Sequence, residues 1–160
     1  MTTLVLVRHA KSDWGDPGLD DHDRPLNDRG LRDAPAAAQR LAKTGLRPTA
    51  ILSSTALRAK TTAEFFAVAL DLRVDLRDEL YGAPARTLLA TAASYGSDRV
   101  IVVAHDPGMT VLAGALSGGS IGHMPTCAVA TFHWGTDDWD VATSVDPDRW
   151  SFDTPASARD

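Results

Sequence analysis

The sequence predicts an α/β domain in three layers, a mostly parallel central sheet with helices on both faces. Three observations predict it. Apolar runs such as LVLV at 4–7 and VIVVA at 100–104 show no polar alternation, as expected of strands buried on both faces of a parallel sheet. Segments with helical start and stop signals separate these runs, so strand and helix alternate along the chain. The chemically unusual residues fall at the ends of the apolar runs, where open α/β sheets bind ligands. A chain of 160 residues with 44% hydrophobic content can bury one core, and no repeat or linker divides it, so 1–160 reads as a single domain.

The first strand, 4–7, runs straight into Arg8 and His9 rather than into the Gly, Asn, Asp or Ser that usually make turns. A polar loop, SDWGDPGLDDHDRP, follows. Asn27 is placed to cap a helix running toward Lys43 and stopping at Gly45. Pro35 falls inside it and removes a backbone hydrogen bond, so the helix either kinks there or begins near Asp33. A second short strand spans 50–52. Ser54 is the expected cap of the next helix, on which Leu57, Thr61, Phe65 and Val68 share a face and Arg58 lies in the first turn. An extended piece at 74–76 leads into DELYGAP, a helix spans 87–95, and the strand at 100–104 ends at His105. Asp106 and Pro107 read as the cap and first residue of a helix that runs to Gly118 and Gly119. Two late strands, 128–134 and 139–145, are expected as a hairpin through GTDD, and the residues from about 154 as a loose tail.

Charge and composition bound the partners. The formal charge of −5, with no basic run, argues against nucleic acid. The N-terminal apolar run is too short for a signal peptide or a membrane span, so no membrane partner is expected. The lone Cys127 cannot form an internal disulfide and reads as a small buried hydrophobe in a cytoplasmic, reducing setting. Arg and Ala usage suits a high-GC, bacterial genome. Nothing sets the oligomeric state, and a monomer is the working expectation. Asp20 to Asp23, DDHD, have metal-ligand residue types, but neighbours in an acidic loop rarely converge on one ion, so this stretch reads as solvated. Trp134, Trp139 and Trp150 are assigned to packing of the late strands.

The strand ends carry the chemistry. Arg8 and His9 end the first strand, Arg58 follows the second, Glu79 the third, and His105 ends the fourth. Helix N-termini after Ser54 and Asp106 add orphan N–H groups and positive dipole ends to the same crevice. Arg58 at a helix start opposes that dipole, a conflict that an anionic ligand would resolve.

With these residues in view, LVRHA resembles the RHG signature of the histidine phosphatase superfamily, LSSTALRAKTTAE its second-arginine segment, and VIVVAHDPGM its second-histidine segment. DRPLNDRG is similar to a stretch carried by the SixA-type phosphohistidine phosphatases, and the resemblance extends over roughly 4–132, with Ala10 where the family has glycine. It implies a phosphoglycerate mutase-like fold and a phosphatase that forms a phosphohistidine intermediate on His9. The residues support this chemistry in their own right. A neutral imidazole attacks phosphorus through one nitrogen if the other donates to a fixed acceptor, and arginines clamp phosphoryl oxygens in bidentate fashion. The phosphate-binding set is then Arg8, Arg58 and His105, with Ser12 and Lys11 either reaching the phosphate or facing water. Arg24 either orients the loop or contacts substrate. Glu79 is either the proton donor to the leaving group, as the resemblance suggests for an acid near this point, or a solvated turn residue. No cofactor and no metal ion are expected. Short connections between the motifs and the easily expelled imidazole favour phosphohistidine of a protein as substrate. A small-molecule phosphomonoesterase with the same site and a non-catalytic phosphate-binding module are the alternatives.

Overall fold

The computed structural model describes residues 1–159. Strands Thr2–Arg8 (β1), Ala50–Ser53 (β2), Val74–Leu76 (β3), Arg99–Ala104 (β4), Val129–Trp134 (β5) and Arg149–Asp153 (β6) form one sheet in the order β3-β2-β4-β1-β5-β6. The first four run parallel; β5 is antiparallel to β1, and β6 to β5. The helices are Asp28–Lys43 (α1), Leu57–Leu70 (α2), Ala85–Ala93 (α3), Gly108–Leu116 (α4), Trp139–Ala142 (α5) and Pro155–Arg159 (α6). Among the described residues, no helix is long and apolar enough to cross a membrane.

Side chains alternate across a strand, so each unbroken apolar run feeds two cores. Val5, Val7, Ile51, Ile101 and Val103 pack with the alanines of α1 and with Ala59, Ala63 and Phe66 of α2. Leu4, Leu6, Leu52, Val100 and Val102 pack with Leu88 of α3, Met109 and Leu112 of α4, and Trp139 of α5. Each fully buried Leu, Val or Ile contributes about 1.5–3 kcal/mol, so both faces of the sheet are strongly specified. The parallel register then positions the site. Arg8 lies opposite Ala104, and Ser53 opposite Val103. The residues that follow, His9, Ser54 and His105, therefore leave the sheet at one level.

Several local expectations are corrected. Helix α1 passes through Pro35 from its Asn27 cap, whose side chain accepts from Gly30 N at 2.9 Å. Leu31, whose carbonyl would have bonded to residue 35, is 46% exposed, so solvent can satisfy it. On α2 the buried face is Arg58, Ala59, Thr62, Ala63, Phe66 and Ala67, while Leu57 and Val68 are exposed. Small residues let α2 approach the alanine face of α1, and alanine hardly registers in a pattern of large apolar residues. Ser54 does not cap α2, whose N-cap position, Ala56, lies two residues beyond it. The expected strand at 139–145 is instead α5, where Trp139 and Ala142 are buried three residues apart and Asp138 caps, accepting from Asp140 N. The partner of β5 is β6, which lies beyond α5. The expected loose tail forms α6, with Pro155 buried and Ser157 N donating to Thr154 Oγ1 at 3.0 Å.

Candidate active site

His9 and His105 face each other with ring centroids 5.0 Å apart, each only 7% exposed. Nδ1 of His9 lies 2.8 Å from the Ala10 carbonyl oxygen. A carbonyl only accepts, so Nδ1 carries the proton and Nε2 is left with its lone pair. Burial, followed by the charges of Arg58, Arg8 and Arg24, lowers the His9 pKa to about 4 despite the bond to Ala10. His105 is lowered to about 3, by burial first and then by His9 and Arg58. Both rings are neutral at physiological pH. Nε2 of His105 is 2.7 Å from Ser54 Oγ, which already accepts from Ala56 N at 3.2 Å. Ser54 Oγ has a second lone pair as well as its proton, so it can accept from Nε2 or donate to it; donation leaves the His105 proton on Nδ1.

The backbone around His9 is tightly tied. Ala10 is fully buried, does not adopt a positive φ, and donates its N–H to Thr62 Oγ1 at 3.0 Å, so alanine meets no strain at the glycine position. Cys127 does adopt a positive φ, and its N–H lies 3.1 Å from the carbonyls of both Arg8 and His9. Burial pushes its thiol up to about 12, so it is chemically inert.

A closed ring of contacts holds Arg8. Its Nη1 donates to Met124 O at 2.8 Å and lies 3.6 Å from Asp106 Oδ2. Asp106 Oδ2 accepts from the Thr110 hydroxyl at 2.7 Å, and that hydroxyl accepts from Met124 N at 3.0 Å. Asp106, expected as the N-cap of α4, instead lies one residue before it, with Pro107 at the N-cap position, but it accepts from Thr110 N at 2.9 Å and so ties α4 to the arginine.

Arg58, in the first turn of α2, is nearly buried and held by Asp21. Its Nη1 donates to the Asp21 carbonyl at 2.7 Å, and its Nη2 to Asp21 Oδ2 at 2.9 Å. Tyr81 Oη donates to the same Oδ2 at 2.6 Å, and Arg24 Nε to Oδ1 at 3.2 Å. The Tyr81 bond, together with the arginines, holds the Asp21 carboxyl far below the usual carboxylate range. Tyr81 stands edge-on to His105, with centroids 5.5 Å apart, and His22 stands edge-on to Tyr81.

The structure thus brings together four of the expected residues, Arg8, His9, Arg58 and His105. Ser12 is buried beside them and accepts from Arg24 Nη1 at 2.8 Å. Arg24 orients the loop and stacks on Trp14, 3.4 Å from its ring centroid. Glu79 lies on a short turn, Asp78–Leu80, about half exposed, with Arg77 Nη1 at 3.8 Å as its partner rather than a residue of the His9 cluster. Sequence reasoning missed Ser54, Asp21, Tyr81, Thr62 and Met124. The acidic loop it read as solvated supplies Asp21, and only the charge conflict at Arg58 hinted that an anion lay nearby. Among the described residues, no three of His, Cys, Asp and Glu converge in a way that would hold a metal ion.

Residues 4–82 match the sequence profile of the histidine phosphatase superfamily, branch 1. An uncharacterised chloroplastic protein of Arabidopsis thaliana is 32% identical over 164 residues, 94% of this chain and 75% of that protein. An uncharacterised Mycobacterium tuberculosis protein is 37% identical over 109 residues, 67% of each chain. Among solved structures, the candidate phosphohistidine phosphatase SixA of Agrobacterium tumefaciens is similar at 32% identity and a TM-score of 0.79, over 96% of this chain and 98% of that one. A protein histidine phosphatase SixA complexed with tungstate, 21% identical, shares the fold with a TM-score of 0.74 over 95% of this chain and 94% of that one.

Proposed function

Because the chain belongs to the histidine phosphatase superfamily and is on that ground a phosphatase, we propose that it removes phosphate from phosphohistidine of a protein, without a metal ion, through a covalent phosphohistidine on His9. The supporting observation is a set of buried side-chain nitrogens without a partner. Arg8 Nε, Arg58 Nε and His105 Nδ1 are buried without a hydrogen-bond partner. A buried polar group left unmatched costs about 1–3 kcal/mol, so three in one crevice call for a multivalent acceptor, and a phosphoryl group offers three oxygens.

In this mechanism His9 Nε2 attacks phosphorus in line, and the phosphorus–nitrogen bond of the substrate breaks. The substrate imidazole leaves neutral when its other nitrogen already carries a proton, so little general-acid help is needed. Arg8, Arg58 and the Nδ1–H of His105 stabilise the charge spread over the three equatorial oxygens. Water then attacks the phosphohistidine, its oxygen joining phosphorus and its proton leaving with inorganic phosphate, and Nε2 regains its lone pair. A protein substrate is favoured by the short connections around the site and by the exposed rim residues Trp14 and Tyr81. It is also favoured by the likeness to the Agrobacterium SixA.

The test compares kcat/KM for a phosphohistidine-bearing protein, a phosphoserine peptide and a sugar phosphate at one pH, with and without chelator. Preference for the first, insensitive to chelation, is expected, with acid-labile and base-stable label on His9 after quenching. Faster turnover of the sugar phosphate would favour the small-molecule reading, and label elsewhere would overturn the nucleophile.

A further inference from the structure

Asp21 is the charged group at the site that the proposed chemistry leaves without a role. It takes one N–H from each of two guanidinium nitrogens of Arg58, one with its carbonyl and one with its carboxylate, and leaves Nε as the nitrogen without a partner. Its carboxylate is also gripped by Arg24 and Tyr81, so it is anchored from three sides, although its side chain is 49% exposed. Across the site, Asp106 Oδ2 lies 3.6 Å from Arg8 Nη1, a looser ion pair. Three arginines face two carboxylates and two neutral imidazoles, which leaves a net charge near +1 rather than +3.

Resting on the phosphatase reading, we propose that Asp21 is an internal counter-anion and a positioning residue. By occupying the outer edge of Arg58 it aims Nε at the phosphoryl group, and its negative charge beside the bound oxygens weakens the hold on phosphate so that the product leaves. A carboxylate and a phosphate sharing one guanidinium repel each other, and because Asp21 is half exposed the effect on affinity is moderated by solvent. Removing the charge should tighten phosphate by roughly tenfold.

The experiment measures the inhibition constant of inorganic phosphate against aryl phosphate hydrolysis in the wild type, Asp21→Asn and Asp21→Glu, with circular dichroism to verify folding. In Asp21→Asn the inhibition constant and KM should both fall by roughly tenfold while kcat does not rise, and Asp21→Glu should return both toward wild type. A merely structural role would lower kcat without tightening phosphate. Unchanged or weaker inhibition in the folded Asn variant would overturn the proposal, and Asp21→Ser repeats the measurement should the Asn variant not fold. If the wild type does not hydrolyse aryl phosphate at all, the phosphatase reading falls and this proposal with it.

Discussion

An alanine at position 30 should damage catalysis although Gly30 is a helix residue with no role in the chemistry. A Cβ there would lie 2.2 Å from the Lys11 carbonyl oxygen and 3.1 Å from both Lys11 C and Lys11 N. Carbon and oxygen normally approach no closer than about 3.3 Å, so the two segments must part by about 1 Å. Both are backbone, and neither yields readily. Gly30 N donates to the Asn27 cap at 2.9 Å, and Asn27 N donates to the same Lys11 carbonyl at 3.0 Å. One residue before Lys11, the Ala10 carbonyl accepts from His9 Nδ1 and sets which ring nitrogen is free to attack. Displacing Lys11 therefore displaces the group that orients the nucleophile.

A shift of about 1 Å at a reacting group costs about 10²-fold, so kcat/KM of Gly30→Ala should fall by 10- to 100-fold, on the order of that penalty. Stability should fall less, because overpacking costs about 1–3 kcal/mol while alanine in a helix regains about 1 kcal/mol over glycine. The assay is aryl phosphate hydrolysis alongside thermal unfolding, with Gly45→Ala as the control. Gly45 has φ +81° and nothing within 4 Å of its would-be Cβ, so that change strains the backbone far from the site and should leave turnover intact. Wild-type turnover in Gly30→Ala, with an unchanged Tm, would refute the close-approach argument.

Arg58→Lys keeps the charge but loses the planar fork, and kcat/KM should drop by the equivalent of about 1.5–3 kcal/mol with circular dichroism unchanged; a near-neutral result would place Arg58 outside the phosphoryl site. Stability should decline in acid. His9 and His105 have folded pKa values of about 4 and 3 against an ordinary 6.5, so the unfolded chain binds more protons, and stability is full above pH 6.5 and lost as pH falls toward 4. With both titrating, the slope approaches about 2.7 kcal/mol per pH unit, and His9→Gln should halve it in urea unfolding followed from neutral pH to about 5. A flat profile over that range would mean that these imidazoles titrate in the folded protein as they do in the unfolded chain.

The strands and the residues at their ends are legible because unbroken apolar runs and the residues that end them are properties of the local sequence. Once 4–7, 50–52 and 100–104 are read as adjacent buried strands, the residues after them must emerge together, and His9, Ser54 and His105 do so. What failed depended on neighbours. The buried face of α2 was mistaken because alanines, decisive for close packing on α1, carry little hydrophobic signal. The late segment at 139–145 carries Trp and Val residues suited to a strand, yet the burial of Trp139 and Ala142 together requires a helical turn.

Within the site, the line between what was legible and what was not follows the path of the loops. Cations at strand ends announce themselves, whereas Asp21 and Tyr81 become site residues only because two separate loops fold over Arg58 and His105. The two motif glycines bear directly on that folding. Gly30, in DRPLNDRG, lets α1 press against Lys11, and a Cβ at Gly108, in HDPGM, would lie 2.3 Å from the Ala83 carbonyl oxygen. Ala83 follows Tyr81 by two residues, so the start of α4 can come close to the segment that sets Tyr81 against His105 only without a side chain at 108. These stretches therefore combine two kinds of residue, those suited to touch phosphate and those whose smallness lets the loops bring the first kind together. A glycine's part in such a site becomes visible only when the backbone opposite it is known.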